Sequence, residues 1–268
     1  MINFLKDKAQ IIFAILFIVS VLPFFGHLSE KTNEKVVKEN ELYNPELNNV
    51  NSMDKAIYYC DSIYNSKHLS NFDTLQFVRT ASSFTKEKFY HGLSHYSFYE
   101  NWIAYLSGKL LWSHMSAIVD PNDILKHSEG LCSQQTIVFM ELLKLKGISV
   151  RSIGLGYKEG PGHFLCEVHY NGTWHLHDVT IEPQWKKVGD KHQSVQYYLA
   201  HKDSLYYVYE FRLDKKVFDK ITEKATYGVV NEFPAKNMFI FHQTSLYITY
   251  FLPLLLLFCN VYLKIKKS

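Results

Sequence analysis

Two long runs without charged residues, one near each end of the chain, most constrain what this sequence can fold into. Residues 9–28 and residues 246–263 contain no Asp, Glu, Lys or Arg. As α-helices these runs would each be about 30 Å long, which matches the hydrocarbon core of a bilayer. We therefore predict two membrane-spanning helices, the first within residues 1–28 after a short cytoplasmic stub and the second over residues 238–263.

Each run has an alternative interpretation that the sequence leaves open. The first could be a cleaved signal peptide, because Lys6 and Lys8 precede it, although no small-x-small cleavage pattern follows Phe25. The second could be a buried core helix. Its length, its position at the end of the chain and the lysines that follow it in residues 264–268 favour a membrane span.

The basic residues around the second run predict the orientation of the chain. Lys264, Lys266 and Lys267 follow it, whereas only Lys236 lies close before it. Since positive charge accumulates on the cytoplasmic side, we expect residues 264–268 to form a cytoplasmic tail and both termini to lie there. Residues 29–51 would then be a polar tether, and residues 52–235 a domain outside the cytoplasm, held at a plasma or inner membrane.

The composition limits what this central domain can be. A chain of 268 residues with 47% hydrophobic positions can form one sizeable core and is not disordered. A net charge of +3 is too small to predict nucleic-acid binding. The four cysteines match no disulfide framework, although a bridge between Cys60 and Cys166 stays open.

Hydrophobic spacing predicts an α+β domain with a helical N-terminal half and an antiparallel sheet. Helical periodicity covers residues 52–125 in three stretches, the last of which ends at Leu110, with the aromatic side chains there in the core, and a further helix covers residues 132–146. Alternation then predicts strands over residues 150–157, 163–170 and 173–180. A strand-like run over residues 205–211 and a helix over residues 217–221 follow.

The Asn171-Gly172 pair is a strong hairpin signal, and a two-residue loop fixes the register of the two strands. In that register His163 and Asp178 are diagonal neighbours on one face of the sheet. Diagonal Cβ atoms are about 7 Å apart, within reach of an imidazole and a carboxylate. We therefore predict a hydrogen bond between His163 and Asp178.

Cys132 has the position expected of a nucleophile for such a pair. It lies in the first turn of a predicted helix, directly after Gly130-Leu131. The helix N-terminus favours a thiolate, and an imidazolium at His163 would lower the thiol pKa further. A nucleophile, a base and an orienting carboxylate in this order are the parts of a catalytic triad.

From about residue 120 to residue 183, this order of residues resembles the transglutaminase-like superfamily within the papain-like cysteine enzymes, in a membrane-anchored bacterial-type form. The matching segments are Asp120-Pro121, Ile124-Leu125, Gly130-Leu131-Cys132, the helix end Leu143 to Ile148, Arg151, Gly156-Tyr157, Gly162 to Val168, Asn171-Gly172-x-Trp174 and Asp178-Val179-Thr180. The resemblance implies a transglutaminase-like core in which Cys132 is the nucleophile, His163 the base and Asp178 the orienting acid. Leu165 stands where the family often has an aromatic residue.

The resemblance implies attack by a thiolate on an amide carbonyl, a thioester, and transfer to water or an amine. The expected substrate is a polypeptide or a cell-envelope amide, with no cofactor, no metal and no nucleic acid, while protein partners are not predicted. The Cys132 backbone N–H would hold the oxyanion with a second donor that the sequence does not identify. Because the family also includes members that only bind, a non-catalytic binding or assembly module of the cell envelope is the main alternative.

Two further alternatives come from other features of the sequence. His175 and His177, with Cys166 paired across from His177, could bind zinc on the opposite face of the hairpin. The two membrane spans could also make the protein an integral component of a transport or export complex.

Overall fold

The computed structural model describes residues 2–21, 42–67, 72–156, 162–181, 192–209 and 214–265. The α-helices are α1 (Ile2–Val21), α2 (Met53–Lys67), α3 (Thr74–Lys88), α4 (Phe98–Leu110), α5 (Pro121–Leu125), α6 (Cys132–Leu145), α7 (Val195–Ala200), α8 (Lys202–Val208), α9 (Lys215–Ile221) and α10 (Lys236–Ile265). The strands are β1 (Tyr90–His91), β2 (Glu129–Gly130), β3 (Val150–Gly156), β4 (Gly162–Tyr170), β5 (Thr173–His177) and β6 (Ala225–Tyr227). Two 3-10 helices cover Pro45–Asn49 and Ser113–Ser116. The chain is an α+β protein.

The chain divides into two compact units. Unit 1 comprises residues 1–35, 95–118 and 235–268, and unit 2 comprises residues 36–94 and 119–234. Within the described residues, unit 1 contains α1, α4, α10 and the 3-10 helix Ser113–Ser116, whereas unit 2 contains the strands β1 to β6 and the other helices.

Unit 2 is built on a four-stranded antiparallel sheet in the order β5-β4-β3-β6. Asn171 and Gly172 have φ angles of 51° and 78° and form the two-residue turn between β4 and β5. Two left-handed residues match the twist of a hairpin, which is why Asn-Gly is favoured there. Tyr170 pairs with Thr173 and Cys166 with His177, so the predicted register is confirmed.

Helix α6 packs between the sheet and helices α2 and α3. Its residues from 134 to 140 are all buried, and Gly147, with a φ of 70°, ends it in the left-handed conformation typical of a helix C-terminus. Asp73 caps α3 by accepting a hydrogen bond from the Gln76 N–H at 3.2 Å. The predicted helical half and the helix that begins at Cys132 are confirmed.

Unit 1 is a helical assembly around α10. Helix α1 and helix α4 both pack against α10, and Asn260 donates a hydrogen bond to the Gln10 carbonyl at 3.4 Å. Of the helices in the described ranges, α10 is the one long and apolar enough to cross a membrane. Helix α1 carries Lys6, Asp7 and Lys8 within its described length, and residues 22–28 of the predicted first span lie outside the described residues.

The structure divides residues 42–118 differently from the predicted tether at 29–51 and domain at 52–235. Leu47 is only 3% exposed and the Asn44 N–H donates to the Glu87 carbonyl at 2.7 Å, so the described end of the tether is part of unit 2. Residues 29–41 lie outside the described residues. The segment 95–118 belongs to unit 1, because its Asn101 side chain hydrogen-bonds Ser245 of α10 at 2.8 Å. Helix α10 itself starts and ends two residues beyond the predicted 238–263.

Two strand predictions are wrong in an informative way. The sequence predicts a strand over 205–211, but residues 205–208 belong to α8 and Tyr209 follows directly, because Leu205, Val208 and Tyr209 face the core with helical spacing. Strand β5 ends at His177 instead of continuing to residue 180. There the Asp178 carboxylate accepts hydrogen bonds from the N–H groups of Thr180 and Ile181 and turns the chain out of the sheet.

The structure also decides the state of the cysteines and the exposure of the end of α4. All four cysteines are free thiols, so the Cys60–Cys166 bridge left open by the sequence is absent from the structure. At the end of α4, Leu110 is 77% exposed, although it continues the helical spacing of the apolar residues before it.

Candidate active site

The hairpin brings His163 and Asp178 into direct contact. The His163 Nε2 atom lies 2.6 Å from the Asp178 Oδ2 atom. The Asp178 side chain is fully buried, and that of His163 is 11% exposed. The predicted hydrogen bond between these two side chains is therefore present, within the confirmed register of the hairpin.

Asp178 is held by three further donors besides His163. The Tyr209 hydroxyl donates to Oδ2 at 2.7 Å, and the N–H groups of Thr180 and Ile181 donate to Oδ1 at 3.1 and 3.2 Å. A buried carboxylate needs such donors to remain ionised, because burial without them is costly. Asp178 is thus fixed as an anion beneath the imidazole ring.

Tyr209 is the site residue that the sequence interpretation missed. It follows the last residue of α8 and is only 5% exposed. The sequence signal was available, since Leu205 and Tyr209 are four residues apart, as expected for one helix face. The aromatic and β-branched content of the run favoured a strand and concealed that spacing.

Helix α6 places Cys132 at the open end of strand β4. Because β5 ends opposite Cys166, the first residues of β4 extend beyond it. The Thr136 hydroxyl donates to the Phe164 carbonyl at 3.2 Å, and the Phe164 N–H hydrogen-bonds the Cys132 thiol. Cys132 and Thr136 are one helical turn apart, so side chains on one face of α6 hydrogen-bond both the N–H and the carbonyl of Phe164.

This docking sets Cys132 beside His163, and the two side chains hydrogen-bond each other. Since Nε2 of His163 is committed to Asp178, Nδ1 is the ring nitrogen that remains for the thiol. Cys132 is half-buried, whereas Cys60 and Cys166 are fully buried. The structure therefore brings together all three predicted site residues, Cys132, His163 and Asp178.

The electrostatics of the three groups favour a thiolate and an imidazolium. Burial raises the pKa of Cys132, but the hydrogen bond and charge of His163, with the Phe164 N–H, lower it below its ordinary value overall. Burial lowers the pKa of His163, yet the charge and hydrogen bonding of Asp178 and Cys132 together outweigh burial and raise it to about 10. Burial likewise raises the pKa of Asp178, and the charge of His163 and the hydrogen bonds to Asp178 keep it low.

The side chains of Gln134 and Gln135, which follow Cys132 on α6, hydrogen-bond backbone groups. Gln134 Oε1 accepts from the N–H groups of Ser94 and Leu131 at 3.0 and 3.1 Å, and its Nε2 donates to the Ser94 carbonyl at 2.7 Å. Gln135 Nε2 donates to the Gly130 carbonyl at 2.8 Å. These hydrogen bonds hold the loop that leads into Cys132, so both amide nitrogens already donate to backbone carbonyls.

The alternative zinc site on the opposite face does not assemble. Cys166 Sγ lies 3.8 Å from the His177 carbonyl oxygen, and the His175 ring stacks on Tyr170 at 3.9 Å between centroids. Burial and the neighbouring histidines lower the pKa of His177 well below its ordinary value. Within the described part of the chain, no group of three or more His, Cys, Asp or Glu side chains could hold a metal ion.

Comparison with known proteins gives one weak similarity. No protein-family model matches the chain, and no curated protein matches it. A solved crystal structure of a TGase is 19% identical, and the match covers 63% of this chain and 39% of that chain with a TM-score of 0.30. A TM-score of 0.30 is too low to establish a shared fold.

Proposed function

We propose that this protein is a membrane-anchored, transglutaminase-like cysteine enzyme that cleaves or transfers amide bonds through a thioester. The observation that carries the proposal is the chain of contacts from Cys132 at the start of α6, through His163, to the buried Asp178 carboxylate. A half-buried thiol beside an imidazole of raised pKa is arranged for nucleophilic attack. A buried structural cysteine needs neither partner.

The proposed reaction has two halves that share the same three side chains. The Cys132 thiolate attacks the amide carbonyl carbon, and the carbonyl oxygen becomes an oxyanion that accepts a hydrogen bond from the Cys132 backbone N–H and from one further donor. The His163 imidazolium gives its proton to the leaving amine nitrogen as the C–N bond breaks, which leaves a thioester on Cys132. Water or a second amine then attacks the thioester carbon, His163 accepts the proton of the attacking group, and the C–S bond breaks to restore the Cys132 thiolate beside the His163 imidazolium.

Hydrolysis is the outcome we propose by default, with a polypeptide or a cell-envelope amide as substrate. A site outside the cytoplasm meets water unless a pocket excludes it. Transfer to an amine uses the same thioester and differs only in the acceptor.

The proposed location is a plasma or inner membrane crossed twice, with both termini in the cytoplasm. Helix α10 supports the second span, because it is long and apolar enough and is followed by lysines. The uncharged residues 9–28 support the first span, of which α1 contains the beginning. Since an even number of spans returns the chain to its starting side, unit 2 would lie outside the cytoplasm.

The test is the pH dependence of iodoacetamide alkylation at each cysteine, resolved by mass spectrometry of the full-length protein. We expect Cys132 to react fastest at and below neutral pH, and His163→Ala to move its titration toward the free-thiol value of about 8.5. Cys60 and Cys166 are fully buried internal controls, and burial raises the pKa of Cys60 to about 12. Cys132→Ala should remove both labelling and turnover.

If Cys132 titrates like an ordinary thiol and His163→Ala leaves its profile unchanged, the thiolate mechanism fails. The protein would then be a binding or assembly module with this fold.

A further inference from the structure

The exposed end of α4 is an apolar tip that no described residue of unit 1 covers. All six residues from 109 to 114 are exposed, and Leu110, Leu111 and Trp112 are 77%, 77% and 58% exposed. Leu110 and Leu111 are more exposed than the leucines of the candidate membrane helix α10, of which Leu254 reaches 63%. Contiguous apolar exposure of this kind marks an interaction site.

The backbone of this tip is well formed. The Ser107 carbonyl accepts hydrogen bonds from the N–H groups of Leu111 and Trp112 at 3.0 and 3.2 Å, and the 3-10 helix Ser113–Ser116 returns the chain. The exposed side chains are therefore presented by an ordered turn between two helical segments.

The helices before and after the turn both hydrogen-bond the first part of α10. In α4, Asn101 donates to Ser245 Oγ at 2.8 Å. In the 3-10 helix Ser113–Ser116, the Met115 carbonyl lies 2.9 Å from His242 Nε2. His242 and Ser245 are buried beneath these contacts, at 0% and 2% exposure.

The length of α10 fixes where these attachments lie relative to a bilayer. Its 30 residues extend about 45 Å, whereas the hydrocarbon core is about 30 Å thick. The excess belongs to the first part of α10, because the uncharged run ends at residue 263, directly before Lys264, and about 20 residues counted back from there cross the hydrocarbon core and reach the polar residues around Ser245. Asn101 thus joins α10 where that helix leaves the hydrocarbon, and the tip is about 14 Å further along α4.

We propose that Leu110, Leu111 and Trp112 insert into the interfacial region of the lipid bilayer beside α10. Tryptophan concentrates at the boundary between headgroups and acyl chains, and a lysine such as Lys109 can extend its amine toward the headgroups. The inference rests on the proposed anchoring through α10 and adds a second contact, made by a loop that does not cross the membrane. This contact restricts rotation of unit 1 about the axis of α10.

The test uses the full-length protein in phosphatidylcholine vesicles with and without brominated acyl chains, which quench nearby tryptophan fluorescence. Flotation on a density gradient first reports whether the protein is membrane-bound at all. We expect bromolipid to quench the wild-type protein, and Trp112→Phe to lose most of the quenched emission. Trp174→Phe is the matched control and should retain the quenching, because the Trp174 ring is covered by the Arg151 guanidinium at 4.4 Å.

A second pair of variants tests the leucines without removing the fluorophore. Replacing Leu110 and Leu111 with Ser should reduce the quenching of Trp112, whereas Leu145→Ser, at another exposed leucine, should not. If the protein floats and Trp112→Phe retains the full quenching, the tip proposal is overturned and the anchoring stands. If the protein does not float, both the anchoring and the tip proposal fail.

Discussion

Replacing Asp178 with Asn removes one charge from the centre of the candidate site while keeping its shape. In the wild type, Asp178 Oδ1 accepts two backbone N–H groups and Oδ2 accepts from His163 and Tyr209. An Asn oxygen can satisfy the backbone donors, and its amide nitrogen then faces His163 and Tyr209. The Tyr209 hydroxyl can rotate to accept a hydrogen bond, but the imidazole must change tautomer so that Nε2 becomes an acceptor.

The change of tautomer sets the expected loss of turnover. It moves the remaining ring proton to Nδ1, which faces Cys132 and then has no lone pair to accept the thiol proton, and it removes the anion that stabilises an imidazolium. We expect turnover to fall on the order of a hundredfold or more, equivalent to about 2.7 kcal/mol of transition-state stabilisation. The free energy of unfolding should fall by about 1 to 3 kcal/mol, since bonds to a charged group are replaced by neutral ones.

The variant Tyr209→Phe separates the loss of turnover from the loss of stability. It removes one hydrogen bond to the buried carboxylate and should cost about 1.5 to 3 kcal/mol of stability, yet it leaves the tautomer of His163 unchanged. The assays are chemical denaturation and the pH profile of Cys132 alkylation for both variants. Equal loss of thiol reactivity in both variants, or an unchanged profile in Asp178→Asn, would refute the tautomer argument.

Two further predictions concern stability. His163 has a folded-state pKa of about 10 against about 6.5 when unfolded, so its contribution is complete below pH 6.5 and is lost as pH rises toward 10. Denaturation at several pH values should therefore show, in His163→Gln, a reduced loss of stability across this interval, and an identical slope would contradict the assignment. Glu167→Gln breaks a buried ion pair with Arg151, whose Nη2 lies 2.6 Å from the fully buried carboxylate, and should cost about 3 kcal/mol. Asp203→Asn, in an exposed pair, should cost less than about 1 kcal/mol, and equal losses at the two sites would show that burial does not set the cost.

Local sequence patterns determined the elements on which the candidate site depends. A two-residue hairpin turn requires two residues in the left-handed conformation, which Asn171-Gly172 favours, and such a turn allows one register. The pairing of β4 with β5 and the contact between His163 and Asp178 could therefore be predicted. The helix that begins at Cys132 could be predicted in the same way from its apolar face and the glycines at its two ends. Both depend on neighbours along the chain, where geometry is fixed by a few residues.

What only the tertiary structure decided involves residues that are distant in sequence. Tyr209 hydrogen-bonds Asp178, 31 residues away in sequence, and Gln134 hydrogen-bonds Ser94, 40 residues away. The spacing of apolar residues within one helix or strand cannot predict either contact. The end of β5 could not be predicted either, because the Asp178 carboxylate competes with the sheet for the backbone N–H groups that follow it. The exposure of Leu110 was hidden for the same reason: spacing shows which face of a helix is apolar, but burial depends on what packs against that face.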